Sequence, residues 1–163
     1  MAAVICVISL LQLPLATGVP LTFQVFAVAL SGYVLGSLRG TGAVLIYAAI
    51  GLVGVPVFSG FVGGFSVLFG PTGGFIAGFF LISLFAGLGR DKKTVVAILL
   101  GMLGLTFCHA IGILHYMNVM KIEALSAFLT VSLPYILKDM ALLVGAYLVS
   151  VSVKKRIKKE TSC

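Results

Sequence analysis

Two neighbouring charged residues, Lys138 and Asp139, stand inside an apolar segment that runs from about residue 131 to 153. A charge at the centre of a bilayer costs about 2.5–3.5 kcal/mol, so such residues usually face a cavity or a partner. An ionised carboxylate accepts strong hydrogen bonds, and an ammonium group can meet an anion. Both residues are therefore candidate ligand-binding residues. Because adjacent helical residues point about 100° apart, we expect them not to pair well with each other.

A second unusual feature is the glycine-rich stretch GFVGGFSVLFGPTGG at residues 60–74. A phosphate-binding loop needs a lysine after its last glycine, and here Gly74 is followed by Phe75. Two readings remain: the glycines let backbone groups approach a small apolar ligand, or the stretch is an interfacial turn anchored by aromatic side chains. Five phenylalanines are interleaved with the glycines or flank them: Phe58, Phe61, Phe65, Phe69 and Phe75.

Other polar residues are few. Thr22 and Gln24 begin a predicted helix, and Gln24 offers a donor and an acceptor either to the same cavity or to a neighbouring helix. His109 and His115 lie near the end of an apolar segment, which favours an interfacial role over a ligand role. No catalytic constellation and no Cys/His pair with metal-ligand spacing can be assembled, so we expect neither an enzyme nor a metal protein.

The elements that must position these residues are membrane helices. The chain is 61% hydrophobic and 9% charged, whereas a soluble protein carries about 25% charged residues. The sequence predicts a single all-α integral membrane domain over residues 1–163, with a basic cytoplasmic tail at 154–163 and an external glycine-rich loop at 59–70. The predicted transmembrane helices are six: roughly 1–16, 21–38, 41–58, 71–89, 94–115 and 131–153.

The charges predict the orientation. With both termini in the cytoplasm, nine basic residues lie on the inner side and only Lys121 lies outside, as the positive-inside rule requires. The net charge of +7 therefore indicates membrane topology and contact with lipid head groups, not nucleic-acid binding. Asp139 lies fifteen residues before Lys154, about 22 Å along a helix. We therefore expect Asp139 at the level of the external glycine-rich loop.

Four motifs give the chain a resemblance to a known family. They are VPLTFQ at 19–24, GLVGVPVF at 51–58, GG at 63–64 with GPTGG at 70–74, and LPY at 133–135 followed by Asp139. In this order, across nearly the whole chain, they resemble the BioY family. Its members are the biotin-specific substrate-binding subunits (S components) of energy-coupling factor (ECF) transporters.

The resemblance implies a six-helix protein of the bacterial plasma membrane that binds biotin with high affinity from outside. It implies docking on a pair of ATP-binding cassette ATPases and a transmembrane coupling protein, and no cofactor of its own. Asp139 would accept the ureido N–H groups, and Lys138 is a candidate for the ligand carboxylate. Many family members have a lysine three residues after the aspartate, where this chain has Leu142. The other candidate ligand-binding residues are Gln24, Phe61, Gly63, Gly64, Phe65, Thr72, Gly74 and Phe75.

Two alternatives stay open. The chain could be an S component for another vitamin, such as thiamine or riboflavin, although the absence of tryptophan counts slightly against ligands that need aromatic stacking. It could also be a stand-alone carrier or a structural membrane protein, which would have no tight ligand and no ATPase partners. The first segment begins at Met1 without a polar flank, so we expect either a shortened first helix or a start farther upstream.

Overall fold

The structure is a computed structural model that describes residues 1–13 and 21–160. This part of the chain is nearly all helical, with two short strands that pair antiparallel, Gln12 opposite Thr22. In chain order the elements are α1 (Ala2–Ser9), β1 (Gln12–Leu13), β2 (Leu21–Thr22), α2 (Gln24–Leu35), α3 (Ser37–Leu52), α4 (Ser66–Phe69), α5 (Gly73–Leu88), α6 (Thr94–Met120), α7 (Ala124–Val131) and α8 (Leu133–Glu160).

A single residue, Gly36, separates α2 from α3. Its φ of +86° lies in the region that glycine adopts without the steric penalty of a side chain. The break predicted at Arg39 and Gly40 was wrong, because both residues belong to the first turn of α3. Gly40 serves packing instead: a Cβ on it would lie 2.8 Å from the carbonyl oxygen of Ser31.

The other boundaries differ from the predicted segments mainly at the loops. Helix α1 ends at Ser9, well before residue 16, and residues 14–20 lie outside the described part. The predicted loop 59–70 contains the one-turn helix α4. Helix α8 begins at Leu133 and continues through the start of the predicted tail to Glu160.

Helix α5 is central, and it packs against α2, α3 and α6. Small residues allow the close approach: a Cβ on Gly32 of α2 would lie 2.9 Å from the backbone nitrogen of Gly87 in α5. The hydroxyls of Ser31 and Ser83 lie 3.1 Å apart across the same buried contact. The position of α5 fixes the residues at its N-terminal end, which contribute to the site described below.

The outer surface of the bundle is apolar. Leu38 is 86% exposed and Leu137 is 77% exposed, as expected of side chains that face lipid. Among the described residues, two helices are long and apolar enough to cross a membrane, Thr94–Met120 and Leu133–Ile157. Helices α2, α3 and α5 are apolar but shorter, at 12 to 16 residues. The number of crossings stays a prediction.

Polar contacts join the connecting segments at each end of the bundle. At one end, Lys154 Nζ donates to the carbonyl oxygen of Arg90 at 2.6 Å, and Arg90 Nη1 donates to that of Leu35 at 3.1 Å. At the other end, Ser59 Oγ donates to Gln12 Oε1, and His115 Nε2 lies 3.0 Å from the carbonyl oxygen of Gly70. The basic connections and the glycine-rich loop therefore lie at opposite ends.

Candidate ligand-binding site

A cavity of about 100 Å³ opens at the end of the bundle that carries the glycine-rich loop. Residues from β2, α2, α4, α5, α6, α7 and α8 line it, together with Phe58, Ser59 and Thr72. A single water needs only about 10–15 Å³, so the space admits a larger guest. Most of the wall is apolar and a few polar groups converge on it, which is typical of small-molecule sites. The main apolar contributors are Val25, Phe58, Val67, Phe75, Ile76 and Phe79.

Asp139 is the buried acid of this cavity, with 5% of its surface exposed. It lies in the second turn of α8, after Pro134 in the first turn. Lys138 Nζ lies 2.7 Å from Asp139 Oδ1. The contact lacks hydrogen-bond geometry, and Oδ1 has no hydrogen-bond partner among the described residues.

The close pairing of Lys138 with Asp139 contradicts the expectation that these neighbours would not pair well. The four-carbon stem of lysine is long enough to bend its ammonium group back across the 100° between adjacent side chains. The same ammonium donates a hydrogen bond of 2.8 Å to the carbonyl oxygen of Thr22, and it lies 5.7 Å from the centroid of the Tyr135 ring. Lys138 thus joins α8 to strand β2 at the rim of the cavity.

Gln24 is buried at the start of α2, and its amide is engaged on both sides. Its Nε2 donates to the hydroxyl of Tyr47 at 2.8 Å, and its Oε1 accepts from Thr22 Oγ1 at 3.2 Å. Gln24 lines the cavity, as predicted for a candidate ligand-binding residue. These two hydrogen bonds fix which edge of its amide faces the ligand space.

His109 is the functional candidate that the sequence analysis missed. It was expected at a helix end or an interface, and this was wrong: it lies in the middle of α6, 5% exposed, in the cavity wall. Its Nε2 lies 3.4 Å from Asp139 Oδ2, its Nδ1 lies 2.9 Å from Ser132 Oγ, and its ring stands edge-on to Phe75. A polar or ionisable side chain within an apolar span carries a free-energy cost. This argument made Asp139 a candidate, and it applies to His109 as well.

Five of the ten predicted ligand-binding residues line the cavity: Gln24, Thr72, Phe75, Lys138 and Asp139. Phe61 and Phe65 lie outside its lining, and each is 64% exposed. They share the loop with the glycines and stand away from the wall that Phe58 and Phe75 form. A role for Phe61 and Phe65 in closing over a ligand stays a prediction.

The three predicted glycines also lie outside the lining, in close backbone contacts. A Cβ on Gly63 would lie 2.8 Å from the carbonyl carbon of Val55, and Gly64, at φ +100°, donates its N–H to the carbonyl oxygen of Gly51 at 2.7 Å. Gly74 packs α5 against α6, where a Cβ would lie 2.9 Å from the carbonyl oxygen of Ile111. At these positions the absence of a side chain lets parts of the protein backbone lie close to one another.

The described residues contain no group of three or more His, Cys, Asp or Glu that could hold a metal ion. The chemistry available at the cavity is that of binding: one buried carboxylate, one ammonium group, an imidazole, an amide and four hydroxyls (Thr22, Ser59, Thr72 and Tyr135) on an apolar wall.

The architecture matches a solved membrane transport component. The fold is shared, at a TM-score of 0.86, with the crystal structure of the S-component for biotin from an ECF-type ABC transporter, over 94% of this chain and 86% of that one, at 22% sequence identity. The chain therefore has the nearly all-helical S-component fold.

Sequence comparison then gives the family. The model of the BioY family matches residues 1–159, and the chain belongs to this family. It is 40% identical over 155 residues to the biotin transporter BioY of Thermotoga maritima, covering 94% of this chain and 90% of the relative. It is also 40% identical over 121 residues to a probable biotin transporter BioY of Pyrococcus horikoshii, covering 74% of this chain and 72% of the relative.

Proposed function

We propose that the protein binds biotin in the cavity beside Asp139 and is the substrate-specific subunit of an ECF-type transporter. The observation that carries the proposal is the buried carboxylate of Asp139 in the cavity wall, whose Oδ1 meets the ammonium group of Lys138 without a hydrogen bond of good geometry. The relatives named as biotin transporters, at 40% identity over nearly the whole chain in one case, support the choice of ligand.

The chemistry of biotin fits this wall. Its ureido group has two N–H donors and one carbonyl acceptor, and an ionised carboxylate accepts such N–H groups in charge-assisted hydrogen bonds. Its fused rings are apolar on both faces, and Phe58, Phe75 and Phe79 offer an apolar surface for them. Ureido donors would give Asp139 Oδ1 the well-directed hydrogen bonds that its contact with Lys138 does not supply.

A cation would stabilise the carboxylate at the end of the biotin side chain, and Lys138 is the lysine in the cavity lining. Its ammonium group covers Asp139 Oδ1. In our proposal the ammonium moves toward the ligand carboxylate as the ureido group takes its place on Asp139. The exchange would give the ligand carboxylate a cation, while Asp139 would lose its ion pair and gain the charge-assisted hydrogen bonds of the ureido group.

This exchange predicts a change of ligand preference in Lys138→Met. The preference for biotin over biotinamide, which lacks the negative charge, should fall by about tenfold. The variant also removes the partner of Asp139, but that loss acts on both ligands and cancels in the ratio. Lys92→Met, on the exposed connection between α5 and α6, is the matched control and should keep the wild-type preference. A Lys138→Met protein with unchanged preference would exclude Lys138 as the carboxylate partner.

The transport role places the cavity toward the outside of the plasma membrane of a bacterial cell, with the basic connections in the cytoplasm. ATP hydrolysis would then be supplied by a separate pair of ATPases, and a transmembrane coupling protein would join them to this chain. The end that carries Arg90 and Lys154 is the one that would face the ATPases. The chain itself would not be an enzyme.

The decisive test is calorimetric titration of the purified protein in detergent with biotin, thiamine and riboflavin. Biotin should bind with a dissociation constant below about 1 μM, the value that corresponds to about 8 kcal/mol of binding free energy. Tight binding of another vitamin would indicate a different S component. No tight ligand at all would indicate a stand-alone carrier or a structural protein.

A further inference from the structure

His109 has no assigned role, yet it is the buried group that lies between Asp139 and a second polar partner. Its Nε2 is 3.4 Å from Asp139 Oδ2, and its Nδ1 is 2.9 Å from the hydroxyl oxygen of Ser132. The side chains of His109 and Asp139 are 6% and 7% exposed, so this arrangement is enclosed by protein. The three groups come from α6, from the junction of α7 and α8, and from α8.

The two contacts of the ring together favour one proton arrangement. If Ser132 donates its hydroxyl proton to Nδ1, the neutral imidazole carries its own proton on Nε2, where it faces the negative carboxylate. The opposite tautomer would set the lone pair of Nε2 against the lone pairs of Oδ2, which is unfavourable in a site of low dielectric constant. For a neutral ring, the two contacts thus favour Ser132 O–H to Nδ1 and Nε2–H toward Asp139.

The division of the carboxylate is the second part of the argument. The imidazole faces Oδ2, whereas Oδ1 has no hydrogen-bond partner among the described residues and is covered only by the ammonium group of Lys138. A separation of 3.4 Å is long for a hydrogen bond, but such contacts in ligand-free sites often shorten in the complex. When one oxygen of a carboxylate is held, the plane of the group is fixed. The other oxygen can then accept a hydrogen bond from a defined direction.

We propose that His109 is a positioning residue for biotin recognition: with Ser132 it orients the carboxylate of Asp139 so that its free acceptor positions meet the ureido N–H groups. The inference rests on the proposed function, because it names the residue that prepares the proposed ureido acceptor. His109 acts through Asp139 and not by contact with the ligand.

Substitution pairs separate this role from simple packing. His109→Leu fills the space with an apolar side chain that has no N–H donor. It should weaken biotin binding by about tenfold. His109→Gln can place an amide N–H where Nε2–H was and should stay within about threefold of the wild type. In an Asp139→Ala background, His109→Leu should change affinity by less than about twofold, because the acceptor on which His109 acts is gone. Equal losses for leucine and glutamine, or an undiminished loss in the Asp139→Ala background, would overturn the proposal.

A measurement without ligand tests the proton arrangement itself. Nitrogen-15 NMR of the labelled histidine ring distinguishes a protonated ring nitrogen from a bare one. In the wild type we expect the proton on Nε2 of His109, and in Ser132→Ala a shift toward a mixture of the two tautomers. A proton found on Nδ1 in the wild type would refute the arrangement even if biotin binds tightly. If biotin does not bind but the proton is on Nε2, the proposed ligand is wrong and the positioning of Asp139 stands.

Discussion

Asp139→Asn is expected to weaken biotin binding by about 100-fold, the largest loss of affinity from a single substitution in the cavity. Asparagine has the same shape, but it lacks the charge that makes the ureido hydrogen bonds strong, and it replaces one acceptor oxygen with a donor. It also removes the charge that faces the ammonium group of Lys138 at 2.7 Å. Calorimetric titration with biotin, with thermal unfolding measured in the same detergent, gives both affinity and folding.

The matched control for this variant is Asp91→Asn. Asp91 lies on the connection between α5 and α6, at the opposite end of the bundle, and its side chain is 84% exposed. The same chemical change there should leave biotin affinity unaltered. If Asp139→Asn binds biotin as tightly as Asp91→Asn, the ureido group does not meet Asp139 and the proposed orientation of the ligand is wrong.

Gly74→Val is expected to lower the free energy of unfolding by about 3 kcal/mol, at the upper end for an overpacked contact. A Cβ on Gly74 would press on the Cβ of His115, and it would lie 2.9 Å from the carbonyl oxygen of Ile111 and 3.1 Å from the Cα of Gly112. Two of these three atoms belong to the backbone of α6, which cannot rotate away. Helices α5 and α6 must therefore move apart.

Gly42→Val controls for the change in helix propensity when valine replaces glycine. Gly42 lies within α3, and a Cβ there would have nothing within 4 Å, so only the small propensity difference remains. Thermal unfolding of the two variants in one detergent gives the comparison. The result also tests the predicted ligand contact of Gly74: if Gly74→Val loses biotin affinity but unfolds like Gly42→Val, the glycine serves the ligand and not the helix contact.

The sequence predicted the class of fold because composition alone decides it. A chain with 9% charged residues cannot cover itself with polar surface, and apolar helices follow from the need to satisfy the backbone in lipid. Asp139 and Lys138 were predicted for the same reason, since charge within an apolar span is costly enough to demand a function or a partner. Gln24 and Thr72 belong to the motifs at 19–24 and 70–74, and Phe75 directly follows the second motif. All three residues line the cavity.

The sequence could not predict what the glycines do. A ligand and a neighbouring helix both require a missing side chain, so the pattern at 60–74 is the same in either case. Only the structure shows that Gly63 lies against the backbone of Val55 and Gly74 against α6. His109 was missed because its distance to Asp139 depends on how α6 crosses α8, and helix crossing is a property of packing that no local pattern contains.

The helices of the bundle differ greatly in length, so they cannot all match the thickness of the bilayer. Helices α2 and α3 have 12 and 16 residues, or about 18 and 24 Å at 1.5 Å per residue, whereas α6 with 27 residues reaches about 40 Å. A hydrocarbon core about 30 Å thick therefore meets a hydrophobic belt that is short on one side and long on the other. Such mismatch is relieved by local thinning of the bilayer or by tilt. The thickness of the surrounding bilayer should therefore affect the tilt of the whole protein in the membrane.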